Sequence, residues 1–268
     1  MASDAAENRR LLSASYLPEC EGPKLGAFPY RKSPITWLEW INEKESGGQG
    51  YVFKVKIRSI IYALKVFKFF KPSTHRNYLS PLSGHDVTDS ELAFHTDPFY
   101  AECRAYARIE SQRRIQGLKR KDIADCYGFM GLTMADEDVL ETYGVDLWQD
   151  IPPYDEYRVR AAGSPVRALV KEYIEEDVEL DEKTGKHILA GIKWMHRKNI
   201  LIHDVCTRNY RAGYLLDFGL SWTKPHCLWQ DTPPWRIEAM FIGDISGLQE
   251  MMGEVGLGPR RSDRLKFK

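Results

Sequence analysis

A chain of 268 residues has room for one large domain or for two lobes that share a cleft. Lysine and arginine number 38, as do aspartate and glutamate, so the net charge does not favour nucleic acid or a membrane surface as partner. Five scattered cysteines without C-x-x-C spacing argue against a zinc or redox site and predict a reduced, cytoplasmic or nuclear protein. The polar start MASDAAENRR lacks the apolar core of a secretory signal, and no apolar run approaches the ~20 residues that span a bilayer.

The first quarter of the chain predicts a tail followed by a small antiparallel sheet. Residues 1–32 mix proline, glycine and charge without periodicity, and we expect them to form a tail over the first lobe. Alternating apolar residues then predict strands on either side of a turn near Arg58-Ser59, with the glycine-rich turn ESGGQG before them. A further strand, YALKVF, carries Lys65. Taken alone, the glycines are also compatible with an ordinary glycine-rich hairpin.

A long polar segment and a helix follow. Residues 71–98 are rich in proline, serine, threonine, aspartate and histidine, which predicts a mobile, solvated loop. Asp97 can cap a helix, and the apolar residues after it recur at helical spacing. Glu102 lies on this predicted helix. The basic run at 113–121 is typical of a solvated helix end, and it is also what binding to a phosphate backbone requires.

The middle of the chain predicts two more strands and a long helix. Two strands that pair with each other are predicted, one in DIADCYGFMGL and one in SPVRALVKEYI. The second is followed by a polar segment that is typical of a hinge between lobes. Residues 134–164 are acidic and then rich in proline and tyrosine, and we interpret them as an extension of this hairpin. DEKTGKHILAGIKWMHRKN predicts an amphipathic helix that leads directly into the next segment.

The most informative segment is ILIHDVCTRNYRAGYLLDFGLS, residues 200–221. It contains Asp204, then Asn209 five positions later, then Asp217 followed by Phe-Gly. Two carboxylates and an amide on a tight loop and hairpin suit magnesium binding against phosphates, with one carboxylate facing an attacking hydroxyl. We therefore predict Asn209 and Asp217 as metal ligands and Asp204 as the catalytic base. The alternative is a polar turn between two buried strands.

The pattern D-x-x-x-x-N followed by D-F-G resembles the catalytic and metal-binding segments of the protein-kinase superfamily. Three segments are more closely similar to fungal kinase-like proteins, a group often labelled after an inner-kinetochore subunit family. They are YAECRAYARI, CYGF and the D-V-C-T-R-N-Y loop before a very short hairpin. The resemblance covers roughly residues 35–222. It implies an α+β, two-lobed fold with a tail (1–32), an N-lobe-like sheet with one helix (33–172) and a truncated helical C-lobe (173–268).

The resemblance also implies roles for residues in the first lobe. Lys65 matches the strand lysine that contacts nucleotide phosphates, and Glu102 matches the helix glutamate that orients it, with Glu110 as a second candidate. The backbone of 171–174 would meet an adenine edge. The implied cofactors are ATP and magnesium. The residues implied to bind the nucleotide are Gly47, Gly48, Gly50, Val52 and Lys65.

Three departures from the kinase pattern limit the function that it implies. Glu45 stands where the first glycine of the glycine signature is expected. His203 directly precedes Asp204, so the arginine of H-R-D is missing. Only 49 residues follow Gly219, too few for an activation segment and a peptide-binding platform. We therefore do not expect a protein kinase that acts on peptides.

Three functions remain open. The first is an ATP-dependent phosphotransferase with a small or unusual acceptor, whose partner is a small-molecule or nucleotide substrate. The second is an arginine-containing cyclodipeptide synthase of fungal secondary metabolism, which is implied because the fungal group looks like one that includes such enzymes. Its partner would be aminoacyl-tRNA, and ATP would not be needed. Basic residues at 113–121 and 260–268 would then follow the RNA backbone. The third is a non-catalytic kinase-like scaffold, with Trp229 and Trp235 on a docking surface.

Overall fold

The computed structural model describes residues 12–41, 48–76, 87–117, 122–149, 151–175 and 180–257. In these residues an antiparallel sheet of five strands is combined with several helices, which confirms the predicted α+β class. The predicted lobe boundaries stay a prediction. None of the described helices combines the length and apolar character needed to cross a bilayer.

The sheet forms because short apolar runs alternate with turns, and its strands pair in the order β1-β2-β3-β5-β4. Arg58, with φ of 57°, makes the tight turn between β2 and β3. This register places Lys65 opposite Val52 on one side and Leu169 on the other, in the middle of the sheet. The five strands are β1 (Ile35–Trp40), β2 (Gly50–Ile57), β3 (Ile60–Phe67), β4 (Cys126–Gly131) and β5 (Arg167–Glu172).

The helices begin where polar side chains can cap them. Asp97 caps the longest helix of the first half by accepting from the amide of Phe99, and Gly117 ends that helix at a left-handed φ of 60°. The helices are α1 (Pro72–Arg76), α2 (Asp89–Thr96), α3 (Pro98–Gln116), α4 (Met134–Thr142), α5 (Glu156–Ala161), α6 (Glu182–Arg197), α7 (Cys227–Gln230) and α8 (Pro234–Glu254). A 3-10 helix spans Thr207–Asn209. There are also four two-residue strands among the described residues: β6 (Ile200–Leu201), β7 (Tyr210–Arg211), β8 (Tyr214–Leu215) and β9 (Trp222–Thr223).

Helix α3 lies between the sheet and the second half of the chain. Its buried residues share one hydrophobic core with β5, α6, the 200–218 loop region and α8. The described part of the predicted tail belongs to the same core, because Leu12, Leu17 and Leu25 are buried there. Ala27 forms a bridge to Phe129 of β4, so this segment packs against the sheet. The functional residues are therefore held by packing from both halves of the molecule.

Two sequence interpretations are wrong. Residues 71–98 contain α1 and α2, and His95 is buried on α2 where a solvated loop was expected. Residues 134–164 form α4 and α5 where an extended hairpin was expected. In both segments local capping outweighs the loop-like composition: Thr88 caps α2, and Thr133 forms a capping box with Asp136 at the start of α4.

Candidate functional site

The predicted lysine–glutamate pair is present at the centre of the molecule. Lys65 on β3 donates to Oε1 of Glu102 on α3, and it also donates to Oδ2 of Asp217 at 2.7 Å. Lys65 and Glu102 are buried, and the Asp217 side chain is partly exposed. The structure therefore brings together three of the predicted site residues, from β3, α3 and the loop after β8. The catalytic roles given to them stay predictions.

A second buried lysine, which the sequence interpretation missed, completes this ion cluster. Lys171 on β5 donates to Oε2 of Glu102 at 2.6 Å and to the carbonyl oxygen of Leu216 at 2.7 Å. Two amines and two carboxylates, Lys65, Lys171, Glu102 and Asp217, thus meet with balanced charge. The available signal was a lysine directly after the buried strand run Ala168–Val170, where burial of a charge requires a partner.

The charges of the cluster stabilise one another. Burial lowers the pKa of Lys65, but the carboxylates of Asp217 and Glu102 outweigh it, so its pKa is raised above the ordinary value. Burial raises the pKa of Asp217, but Lys65 and Lys171 outweigh it, so its pKa lies well below the usual range. Burial also raises the pKa of Glu102, and the net shift stays upward because Lys171 and Lys65 oppose that effect only in part. Lys65 is therefore an ammonium held by two carboxylates, and it is not a free base.

The predicted base Asp204 is paired with a residue of its own loop. The Nη2 nitrogen of Arg208 lies 3.0 and 2.9 Å from the two carboxylate oxygens, in an ion pair that is partly exposed. The side-chain amide of Asn209 donates to the backbone carbonyl of Asp204 at 2.8 Å, which closes the loop. The backbone carbonyl of Asn209 accepts from Leu216, next to Asp217. The three predicted polar residues therefore lie on one connected loop and hairpin.

Asp244 on α8 binds the start of this loop, and the sequence did not predict this contact. It is buried, and its carboxylate accepts from the backbone amides of Ile202 at 2.9 Å and of His203 at 2.8 Å. A ring nitrogen of His196 lies 2.9 Å from the same carboxylate. His203 adopts a left-handed φ of 67°, so the two amides point to one acceptor. The sequence shows Asp244 only as one acidic residue in a helix, which gives no sign of this role.

The glycine turn lies close to the loop of Asp217. Gly50 is buried at the start of β2, where a Cβ would overlap the carbonyl oxygen of Val66. The side-chain oxygen of Gln49 is buried against Gly219, and a Cβ on Gly219 would overlap it. Of the other predicted nucleotide-binding residues, Gly48 is exposed, Val52 is half-buried and Gly47 lies outside the described residues. The side chain of Gln49 thus packs from the glycine turn against the loop of Asp217.

A separate cluster has the residue types of a metal site. Ligand atoms of His95, His226 and Cys227 lie within 4.8 Å of one another. Nδ1 of His95 is bonded to Arg104, and Nδ1 of His226 accepts from the amide of Leu228, so each neutral ring carries its proton on Nε2. Nε2 of His226 donates to the carbonyl oxygen of His95 at 3.1 Å. In these tautomers neither ring offers a lone pair to a metal, and hydrogen bonding accounts for the cluster.

The described part of the predicted basic surface is bonded within the protein. Arg113 donates to Asp125 at 2.6 Å and to the carbonyl oxygen of Ile123 at 2.9 Å. Arg114 forms an ion pair with Glu110 at 3.3 Å. The remaining basic residues of this prediction, at 118–121 and 260–268, lie outside the described residues.

The sheet order, the lysine–glutamate pair of β3 and α3, and the Asp-Asn-Asp loop define a kinase-like α+β protein. A family model described as kinetochore Sim4 complex subunit FTA2 matches residues 13–222, and the chain belongs to this family. No matching relative was found among curated proteins. The match supports the inner-kinetochore part of the resemblance. It gives no support to a cyclodipeptide synthase, and that function stays a prediction.

Proposed function

We propose that this chain is a protein-binding subunit of an inner-kinetochore assembly in the nucleus and that its kinase-like fold serves as a scaffold. The observation that carries this proposal is the family match over residues 13–222, since the family is described as a kinetochore complex subunit. A subunit of this kind has other proteins as its partners and needs no chemical step. The expected partners are therefore proteins, and a small-molecule substrate is not required.

The state of the cleft supports a scaffold. Two of the three donors of the Lys65 ammonium are taken by Glu102 and Asp217, which leaves one for any other acceptor. A general base needs an accessible carboxylate, whereas both oxygens of Asp204 are bonded to Arg208. The charges of Lys65 and Asp204 are thus balanced by groups of this chain, as a scaffold requires.

The surface of α8 supports protein binding. Trp235 is 70% exposed and Ile242 is 58% exposed, seven residues apart on the same helix and therefore on one face. Large apolar side chains on one exposed helix face are typical of protein–protein contacts. Trp229, the other tryptophan of the scaffold hypothesis, is less exposed: it is half-buried, and its ring makes an edge contact with Phe241. Helix α8 lies after the segment that the family model matches.

The proposal is tested by replacing the native copy in fungal cells with tagged variants and measuring tag enrichment at centromeric DNA by chromatin immunoprecipitation. Wild type and Asp204→Asn are expected to be enriched equally, because the proposed role uses no general base. Trp235→Ala combined with Ile242→Ser is expected to lose at least 10-fold, a typical effect for removing interface anchors. Tyr154→Ala, which removes another exposed aromatic residue, is the matched control. Absence of wild-type enrichment, or its loss in Asp204→Asn, would contradict the proposal.

A second candidate function is magnesium-dependent nucleotide binding for phosphoryl transfer to a small acceptor. It is favoured by the connected loop that carries Asp204, Asn209 and Asp217, since a scaffold has no need for all three residue types. The fit is partial: Oδ2 of Asp217 is bonded to Lys65 and Oδ1 to the amide of Gly219, although each carboxylate oxygen can accept one further bond. Thermal unfolding with Mg·ATP tests it. A wild-type rise in Tm that disappears in Asp217→Asn would support nucleotide binding, and no rise would exclude it.

A further inference from the structure

Glu102 has one amine for each carboxylate oxygen, and the two amines come from different strands. Lys65 on β3 is bonded to Oε1, and Lys171 on β5 is bonded to Oε2 at 2.6 Å. Lys171 also bonds the carbonyl oxygen of Leu216 at 2.7 Å, directly before Asp217. It therefore joins α3, the sheet and the Asp217 loop, in a place where the kinase resemblance implies only the pair of Lys65 and Glu102.

We propose that Lys171 is a built-in counter-ion that fixes helix α3 against the sheet and the Asp217 loop without any bound nucleotide. This inference rests on the proposed scaffold function, because it describes a cleft whose charges are balanced by the protein itself. With Lys65, Lys171, Glu102 and Asp217 the cluster contains two positive and two negative groups. A buried ion pair is retained only where its charges and hydrogen bonds are satisfied, and Lys171 satisfies the second oxygen of Glu102.

The outer face of α3 is held in the same nucleotide-independent way. Arg104 donates to the carbonyl oxygens of Thr223, at 2.7 Å, and Pro225. One turn further on, Arg108 donates to the carbonyl oxygen of Lys224 at 2.7 Å. These arginines bind α3 to the end of β9 and to the segment after it, on the side away from the sheet. Helix α3 is thus bonded on two faces to both halves of the chain, so a nucleotide has no role left in positioning it.

The first residue before α3 is also bonded to β5. Asp97, which caps the helix, forms a buried ion pair with Arg167 through the Nη1 nitrogen at 2.5 Å. Arg167 and Lys171 lie on the same strand, four residues apart, so β5 contacts α3 at its start and again at Glu102. Strand β5 therefore supplies two of the cations that set the position of α3.

Hydrogen–deuterium exchange of the α3 backbone amides in the full chain tests the proposal, because exchange reports local opening. In wild type, Mg·ATP at millimolar concentration (about 5 mM) is expected to change α3 exchange less than about threefold. Lys171→Met is expected to speed it about 100-fold, since removing one partner of a buried ion pair leaves the other charge uncompensated. Lys171→Gln keeps a hydrogen-bond donor without the charge and is expected to show about 10-fold, a smaller loss that folds more readily. Lys56→Met, an exposed lysine of β2, is the matched control with no change.

Lys65→Met compares the two amines directly. The proposal expects it to speed α3 exchange less than Lys171→Met does, because Lys171 still holds Glu102 and the carbonyl oxygen of Leu216. A larger effect of Lys65→Met, a less than threefold effect of both Lys171 variants, or strong protection of α3 by Mg·ATP would overturn the inference. Failure of the scaffold function would be seen in a different experiment: the protein would not be enriched at centromeric DNA, while the exchange results for α3 would stay as expected.

Discussion

Replacing Asp244 with alanine tests how the Asp204 loop is held. The buried carboxylate accepts two backbone amides, from Ile202 and His203, and contacts the ring of His196. Alanine would leave both amides buried and without an acceptor. Such a group costs about 1–3 kcal/mol, and bonds to a charged acceptor are at the upper end. Two amides and one lost ring contact give an expected loss of about 3–6 kcal/mol.

This loss is large against a typical free energy of unfolding of about 5–15 kcal/mol. Urea unfolding measures it through the change in midpoint at constant m-value. Asp244→Asn keeps one carbonyl acceptor in the same shape and is expected to lose about 1–3 kcal/mol. Glu238→Ala removes an exposed carboxylate from the same helix and is expected to stay within about 0.5 kcal/mol. A loss below about 1 kcal/mol for Asp244→Ala would show that these two amides are not supported by Asp244 and would refute the reasoning.

Three further changes have defined outcomes by the same urea assay. Gly128 has φ of 128°, and a Cβ there would lie 2.6 Å from the carbonyl oxygen of Gly26. Gly128→Ala should therefore lower the free energy of unfolding by at least about 2 kcal/mol. Gly26→Ala is the control, because a Cβ at Gly26 would meet open space, and it should cost less than about 0.5 kcal/mol. Burial and the charge of Arg104 lower the pKa of His95 to about 3, so the folded state excludes a proton that the unfolded chain takes up below about pH 6.5. The free energy of unfolding should therefore fall as pH drops from about 6.5 towards 3, by up to about 1.4 kcal/mol per pH unit from this group. His95→Gln should make this pH dependence less steep. His187→Gln, at an exposed histidine, is the control and should leave the pH dependence unchanged. Arg208→Ala removes a partly exposed ion pair and should change stability by no more than about 1 kcal/mol, and a larger loss would mean that this pair is more shielded from solvent than its exposure indicates.

The parts of the site that the sequence predicted are those that local spacing determines. The strand alternation around Lys65, the cap at Asp97 and the helical recurrence around Glu102 each depend on a few neighbouring residues. The Asp204–Asn209 loop and the hairpin before Asp217 are likewise short-range features. Local hydrogen bonds and side-chain periodicity act over about one or two turns, so a sequence reading can follow them.

The wrong interpretations of 71–98 and 134–164 have a related cause. Their composition is typical of loops, yet each contains a helix that begins at a capping residue: Thr88 for α2 and Thr133 for α4. Once α2 forms, His95 packs into the interior beside His226, which lies 131 residues later in the chain. Composition averages over a segment and therefore misses this effect.

The sequence by itself determined the α+β class, the strand that carries Lys65, the helix that carries Glu102 and the polar loop, because each follows from residues close to one another. The roles of Lys65 and Glu102 came from the kinase resemblance. Only the tertiary structure decided that Lys171 meets Glu102 from 69 residues away and that Asp244 holds amides 41 and 42 residues before it. The physical reason is that a buried charge takes whichever partner the packing of the strands and helices brings within about 3 Å, and that partner is set by the whole fold.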